Sequence, residues 1–294
     1  MTDALDQLID LLDLERIETD IFRGFSPPER VVRVFGGQVA GQALVAAGRT
    51  VEPERQVHSL HAYFLRPGDP TIPIVYEVDR IRDGRSFTTR RVVAVQHGKA
   101  IFHLSASFQV PQPGVEHQSP MPNAPDPETL PTYQERYAPY RDESAWYEWP
   151  RPIDVRYVGL PPRAAQDVAA MDTRSQVWMR AAGQLPDDPL LHVCALTYAS
   201  DMVLLDSILL AHGVAWNTNS VKGASLDHAM WFHRPFRADE WLLYDQWSPS
   251  ASGARGLAAG NMFRSDGALV VSVVQEGMIH VLQPPAAQQP PPAG

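Results

Sequence analysis

The 294-residue sequence predicts a duplicated α+β fold: two copies of a unit in which a helix of small apolar residues precedes a meander of antiparallel strands. Three observations carry this reading. An aromatic strand pattern ended by Arg-Pro occurs twice, as Tyr63-Phe64-Leu65-Arg66-Pro67 and as Trp231-Phe232-His233-Arg234-Pro235, with the Arg-Pro pairs 168 positions apart. A turn feeding an apolar strand, His97-Gly98-Lys99-Ala100-Ile101-Phe102, returns as Asp266-Gly267-Ala268-Leu269-Val270-Val271, so the register of the repeat holds within one residue. Between the copies, prolines 111, 113, 120, 122, 125, 127 and 131 punctuate a polar stretch with the composition of a linker. The chain therefore divides into a first unit over 1–110, a linker over 111–152 and a second unit over 153–282. A Pro-, Ala- and Gln-rich tail over 283–294 is expected to be disordered.

The elements follow in order. Residues 6–14 place apolar side chains at helical spacing and predict a short amphipathic helix. Residues 21–25 and 31–35 read as short strands around the Pro27-Pro28 turn. Residues 36–48 are small, apolar and helical in length, with Gly48 as the stop; such a helix can be gripped closely on more than one side. Alternating patterns then predict strands over 58–64, 72–80, 87–96 and 99–109, and a sheet that wraps the helix buries both. A short helix is expected near 133–137, strands over 153–158 and 175–181, a loop over 184–189, and a partly helical apolar run over 190–210. The helix over 36–48 corresponds roughly to residues 200–213 of the second unit.

Composition narrows the function classes. Hydrophobic residues make up 44% and charged residues 20% of the chain, which is ordinary for a packed globular protein. A formal charge of −9 argues against a nucleic-acid coat protein, and no nucleic-acid partner is expected. Lys occurs only at 99 and 222, so the positive charge is almost all guanidinium, which suits bidentate contacts to anions. The single cysteine, Cys194, excludes an internal disulfide framework and a multi-thiolate metal site, and its apolar surroundings predict a buried inert thiol. The acidic start does not resemble a signal peptide, and no apolar run approaches the ~18 residues of a membrane span. A cytoplasmic chain without a membrane span is expected.

The two copies differ in their polar residues. Asp201 in Tyr198-Ala199-Ser200-Asp201 stands where the first copy has Gly36-Gly37, Gln275-Glu276 where it has Ser105-Ala106-Ser107, and Ser225 where it has Val57. A buried polar group must find a partner, so stability alone does not call for this asymmetry; one working site at a seam between the copies explains it. The stretches Val34-Phe35-Gly36-Gly37-Gln38-Val39, His58-Ser59-Leu60-His61-Ala62-Tyr63-Phe64-Leu65-Arg66-Pro67-Gly68-Asp69, Tyr198-Ala199-Ser200-Asp201, Ser225-Leu226-Asp227-His228-Ala229-Met230-Trp231-Phe232-His233-Arg234-Pro235-Phe236 and Val274-Gln275-Glu276-Gly277 closely resemble the acyl-CoA thioesterase II family. The match runs in order along nearly the whole chain, apart from the linker and tail. It implies a double hotdog fold, two sheet-around-helix halves in one chain, and hydrolysis of acyl-CoA to free acid and CoA. The family's catalytic Asp, Thr or Ser, and Gln fall on Asp201, Ser225 and Gln275.

Thioester hydrolysis needs an activated nucleophile and a stabiliser for the oxyanion. A carboxylate such as Asp201 can take a proton from water, a hydroxyl and an amide can hold that water, and N–H groups opening a helix at Gly36-Gly37 can polarise a carbonyl. The competing readings are a helix N-cap for Asp201, with Ser200 as rival, a turn hydroxyl for Ser225, and a solvent-facing edge position for Gln275. A serine hydrolase built from Ser225, Asp227 and His228 is disfavoured, because neighbours on a strand point to opposite faces and no G-x-S-x-G elbow is present. His58 and His61 on one strand face opposite sides and lack a third ligand, so no metal is expected. Neither a phosphate-binding loop nor a dinucleotide fingerprint is present, and no cofactor is expected. CoA phosphates call for arginines at the mouth; Arg82, Arg85, Arg90, Arg91 and Arg255 are candidates, Arg85 and Arg255 on hairpins that recur in both copies. Gly36, Gly37 and His58 complete the candidate substrate contacts. Association of chains into a homo-oligomer is expected from exposed sheet surface. A hotdog enoyl-CoA hydratase and a non-catalytic acyl-CoA binding module are the alternatives.

Overall fold

The computed structural model describes residues 4–27, 33–143, 147, 150–168, 172–216 and 221–282. The first half comprises α1 (Ala4–Leu12), β1 (Glu15–Glu18), β2 (Ile21–Gly24), α2 (Gly36–Gly48), β3 (Gln56–Phe64), β4 (Ile74–Asp83), β5 (Phe87–Gln96) and β6 (Lys99–Gln109). The connection carries a short α3 (Tyr133–Tyr137). The second half comprises β7 (Ile153–Tyr157), α4 (Pro162–Asp167), β8 (Arg174–Ala181), α5 (Pro189–Ser200), α6 (Asp206–Ala211), β9 (Val221–Ser225), β10 (Asp227–Phe232), β11 (Leu242–Ser252), β12 (Arg255–Arg264) and β13 (Leu269–Val281).

The strands form one sheet in the order β1-β2-β4-β5-β6-β3-β10-β13-β12-β11-β8-β7, with β9 added onto β13. The order reads the same from either end once the halves are equated, so the duplication is a pseudo-two-fold whose centre is the antiparallel β3–β10 pair. The register agrees with the 168-residue offset: His228 faces Ala62 and Met230 faces Leu60 across that pair. This is the double hotdog that the family resemblance implies. Hairpin geometry repeats as well. The β5–β6 turn places both His97 and Gly98 at positive φ (50° and 68°), the two-residue turn that matches strand twist, and Gly267 (φ 90°) turns the equivalent corner.

The sheet wraps α2 and α5. Eleven consecutive residues of α2, from Gly37 to Ala47, are buried, as expected for a helix gripped on several sides. Its two buried glutamines are satisfied: Gln42 accepts from the Tyr76 hydroxyl at 2.7 Å and donates to Leu11 O at 2.7 Å, and Gln38 donates to Ser26 Oγ at 2.9 Å. The helices α2 and α5 run antiparallel. Gly37 lies against the Tyr198 carbonyl, Gly41 against the Cys194 carbonyl and Gly48 against Leu190. Cys194 is a free, fully buried cysteine whose thiol is pushed up by burial.

The structure corrects several boundaries. Residues 33–35 form no strand, and positions 31–32 of that expected strand lie outside the described residues, as does the tail over 283–294. The expected correspondence of 36–48 with 200–213 fails because the second helix starts earlier. Asp188 caps it by accepting from Leu190 N at 2.9 Å, Pro189 occupies its first turn, and Ser200 ends it. The Pro-rich connection is tied to the second half, since Trp178 donates to Pro125 O at 3.0 Å and Arg156 to Leu130 O at 3.1 Å, and within it Tyr133, Tyr137 and Tyr147 stack at 4.4 and 4.5 Å.

Candidate active site

The antiparallel pairing of α2 and α5 brings the C-terminal end of α5 to the N-terminal end of α2, and the candidate site forms there. Asp201 is the C-cap of α5, in ordinary helical backbone (φ −81°, ψ −5°). The N-cap reading therefore does not hold for its own helix. Its side chain instead reaches across to the other half, where the backbone N–H of Gly37, in the first turn of α2, lies beside the carboxylate and favours its charged form. No side-chain hydrogen bond from α2's own N-cap, Phe35, serves that end of the helix. The close approach requires glycine. A Cβ on Gly36 would lie 2.6 Å from Asp201 Oδ2 and 2.8 Å from the Phe64 ring, and one on Gly37 would lie 2.3 Å from the Tyr198 carbonyl.

Two more donors converge on the same carboxylate. Gln275 Nε2 donates to Asp201 Oδ1 at 2.6 Å, and Ser225 Oγ donates to it at 3.2 Å. Gln275 comes from the middle of β13, flanked by β10 and β12, and is 0% exposed, so it is not a solvent-facing edge residue. Ser225 ends β9, opposite Gly277 of β13. Asp201 and Ser225 are half-buried and keep a path to solvent. Burial raises the Asp201 carboxyl above the ordinary carboxylate range; His228, Gln275, Ser225 and the Gly37 N–H pull in the other direction without cancelling it.

The serine-hydrolase arrangement is absent. Asp227 accepts the backbone N–H of Glu276 at 2.6 Å, and His228 Nε2 meets Ser200 Oγ at 2.8 Å rather than Ser225. Of the substrate candidates, Gly36 and Gly37 are at the site. Arg255 is near it: Ser225, Gly277 and Gly256 lie in one row across β9, β13 and β12, which places the neighbouring Arg255 roughly 10 Å away, two strand spacings. Its guanidinium pairs with Glu276 at 3.0 Å. His58 and Arg85 are not brought in. His58 bonds Ser107 Oγ at 2.8 Å and stacks edge-on with Phe87, and Arg85 is exposed at the β4–β5 hairpin of the other half. Of the other candidate arginines, Arg90 is buried in bonds to Thr50 and Asp83. Sequence reasoning missed Arg33, whose guanidinium reaches Gly223 O of β9 at 3.4 Å.

Comparison with known proteins identifies the family. A model described as "Acyl-CoA thioesterase" matches residues 161–278, and one described as "Acyl-CoA thioesterase N-terminal domain" matches 27–109. Acyl-coenzyme A thioesterase 8 of Mus musculus is 43% identical, covering 92% of this chain and 88% of that protein. Acyl-CoA thioesterase 2 of Haemophilus influenzae is 39% identical, covering 95% and 99%. The crystal structure of an acyl-CoA thioesterase II from Mycobacterium marinum superimposes with a TM-score of 0.77 at 48% identity, covering 95% of this chain and 99% of that one. No helix among the described residues is long and apolar enough to cross a membrane. From the two-half fold, the matched models and these relatives, the chain belongs to the acyl-CoA thioesterase II family of thioester hydrolases.

Proposed function

We propose that this chain hydrolyses acyl-CoA to the free carboxylic acid and CoA, using a water activated by Asp201 and oriented by Ser225 and Gln275. The observation that carries this reading is the convergence of β9, β13 and the N-terminus of α2 on one half-buried carboxylate. An ionised carboxylate offers about four acceptor sites. Gln275 and Ser225 take two of them, both on Oδ1, which leaves Oδ2, beside the start of α2, to meet a water. As that water's oxygen bonds to the thioester carbon, its proton passes to Asp201. The C–S bond then breaks, the electron pair leaves on sulfur, and Asp201 returns the proton to the thiolate. Burial strengthens Asp201 as a proton acceptor. The partial positive charge at the start of α2 lies beside it, suited to the developing oxyanion. Arg255 is the arginine we assign to a CoA phosphate at the mouth, in exchange for its Glu276 partner.

The hydratase alternative needs an Asp and a His facing the substrate together. His228 is 1% exposed and turned to Ser200, so it does not support that pairing. Free-thiol release from a panel of acyl-CoAs tests the reading: the account expects turnover on at least one chain length. Binding of acyl-CoA without thiol release at any chain length would favour the binding-module alternative instead.

A further inference from the structure

His228 is a fully buried histidine that sits one step beyond the Ala229–Val274 pair of β10 and β13, alongside Gln275. Its Nε2 meets Ser200 Oγ at 2.8 Å, and Gln275 lies within hydrogen-bonding reach of its ring. The atoms left over on the two sides are complementary. His228 Nδ1 and Gln275 Oε1 are both buried without a hydrogen-bond partner, on side chains at neighbouring cross-strand positions.

The proton inventory gives this arrangement a direction. Gln275 Nε2 donates to Asp201, so its amide cannot turn over without setting Oε1 against a carboxylate. Oε1 only accepts, and therefore needs a proton on His228 Nδ1. Burial keeps the imidazole neutral, with a single N–H. With that proton on Nδ1, Nε2 becomes an acceptor for the Ser200 hydroxyl, whose single proton then turns from the Thr197 carbonyl at 2.9 Å to the imidazole at 2.8 Å. The repeat supplies an independent argument: 168 positions earlier, the first half has Leu60, which is likewise buried. The fold packs a hydrocarbon at this position, so an imidazole is not needed for stability.

We infer that His228, backed by Ser200, is a positioning residue that holds the Gln275 amide so that its N–H stays aimed at Asp201. This rests on the roles proposed above for Asp201 and Gln275. The test compares His228→Leu, His228→Asn and His228→Gln in steady-state hydrolysis of an acyl-CoA that the wild type turns over, with thermal unfolding followed for each. Asn places an amide N–H near the Nδ1 position, whereas Gln extends toward the Nε2 position. Losing one buried hydrogen bond predicts that Leu and Gln lower kcat about tenfold, with KM within about twofold and Asn close to wild type. In a Gln275→Ala background, His228→Leu should cost less than about twofold more, because the group it positions is gone. Wild-type kcat in His228→Leu, equal losses in Asn and Gln, or an undiminished loss in the Gln275→Ala background would overturn the inference. If His228→Leu does not fold, the Asn-against-Gln comparison decides. Wild-type kcat in Asp201→Asn and Gln275→Ala would instead remove the reading on which it rests.

Discussion

The contact between α2 and α5 sets where Asp201 sits, and Gly37→Ala perturbs it directly. A Cβ at Gly37 would lie 2.3 Å from the Tyr198 carbonyl oxygen, a backbone atom that cannot rotate away. Restoring an ordinary contact requires the helices to part by about 1 Å. Overpacking of this kind costs ~1–3 kcal/mol, and the gain in helix propensity from Gly to Ala offsets at most ~1 kcal/mol. The expected net loss is ~1–2 kcal/mol, a fall in Tm of ~2–4 °C per kcal/mol. Tyr198 is three residues before Asp201, so the same shift moves the carboxylate, and a 1 Å misplacement can cost about 10²-fold in turnover. Gly41→Ala is the control on the same helix. Its Cβ would lie 3.2 Å from the Cys194 carbonyl, a tight contact that a few tenths of an ångström relieves, so propensity nearly balances it and activity stays close to wild type. Denaturant unfolding and thiol release measured on both variants decide the matter. A Gly37→Ala protein as stable and as active as Gly41→Ala would refute the view that this helix contact positions Asp201.

Ser225→Ala and Gln275→Ala should each lower kcat less than removal of the base does, and the double variant should lose less than the product of the single losses, because the groups act on one water; independent, multiplicative losses in steady-state kinetics contradict this. The acid limb of the kcat/KM profile should fall as Asp201 is protonated, with a midpoint above the ordinary 3.8 because burial raises its pKa; a midpoint at or below that value in a pH–rate profile counts against Asp201 as the base. Asp206, 4% exposed and bonded to the Tyr157 hydroxyl and Trp216 Nε1, is pushed up to about 6 by burial. A raised carboxyl binds its proton more tightly in the folded state, so stability falls as pH rises through about 6, by up to ~3 kcal/mol; Asp206→Asn should flatten that dependence in pH-dependent denaturant unfolding, and an unchanged slope would refute it.

The first meander was the most legible part of the sequence, because period-2 alternation sets the extent of β3 to β6, and the Arg-Pro repeat marks β10 as the counterpart of β3; the long strands β11 and β12 and the pairing of β3 with β10 were not read from it. The trio Asp201, Ser225 and Gln275 was legible as polarity present in one copy and missing from the other. The relation of Gly36-Gly37 to Asp201 was not. The sequence alignment of the copies set them at equivalent positions, whereas the structure puts them at opposite ends of two antiparallel helices, α2 and α5, which makes them neighbours in space. His58 and Arg85 were drawn in by motif and hairpin recurrence, which does not reveal which side chains reach the seam where the site forms. His228 was weighed only as a partner for Ser225 on adjacent strand residues. The available signal was its contrast with Leu60 at the 168-residue offset, a buried polar group where the other half is apolar.

Asp201→Asn, assayed for thiol release on the best acyl-CoA substrate together with denaturant unfolding, tests the proposed chemistry most directly. The substitution keeps the size of the side chain but removes its ability to take a proton, so turnover should fall by about 10²–10⁴-fold. Stability should stay within about 1 kcal/mol of wild type, because losing one acceptor for the surrounding donors is offset by no longer burying a charge. Wild-type thiol release from a folded Asp201→Asn protein, with free acid formed at the same rate, would contradict the assignment of Asp201 as the base.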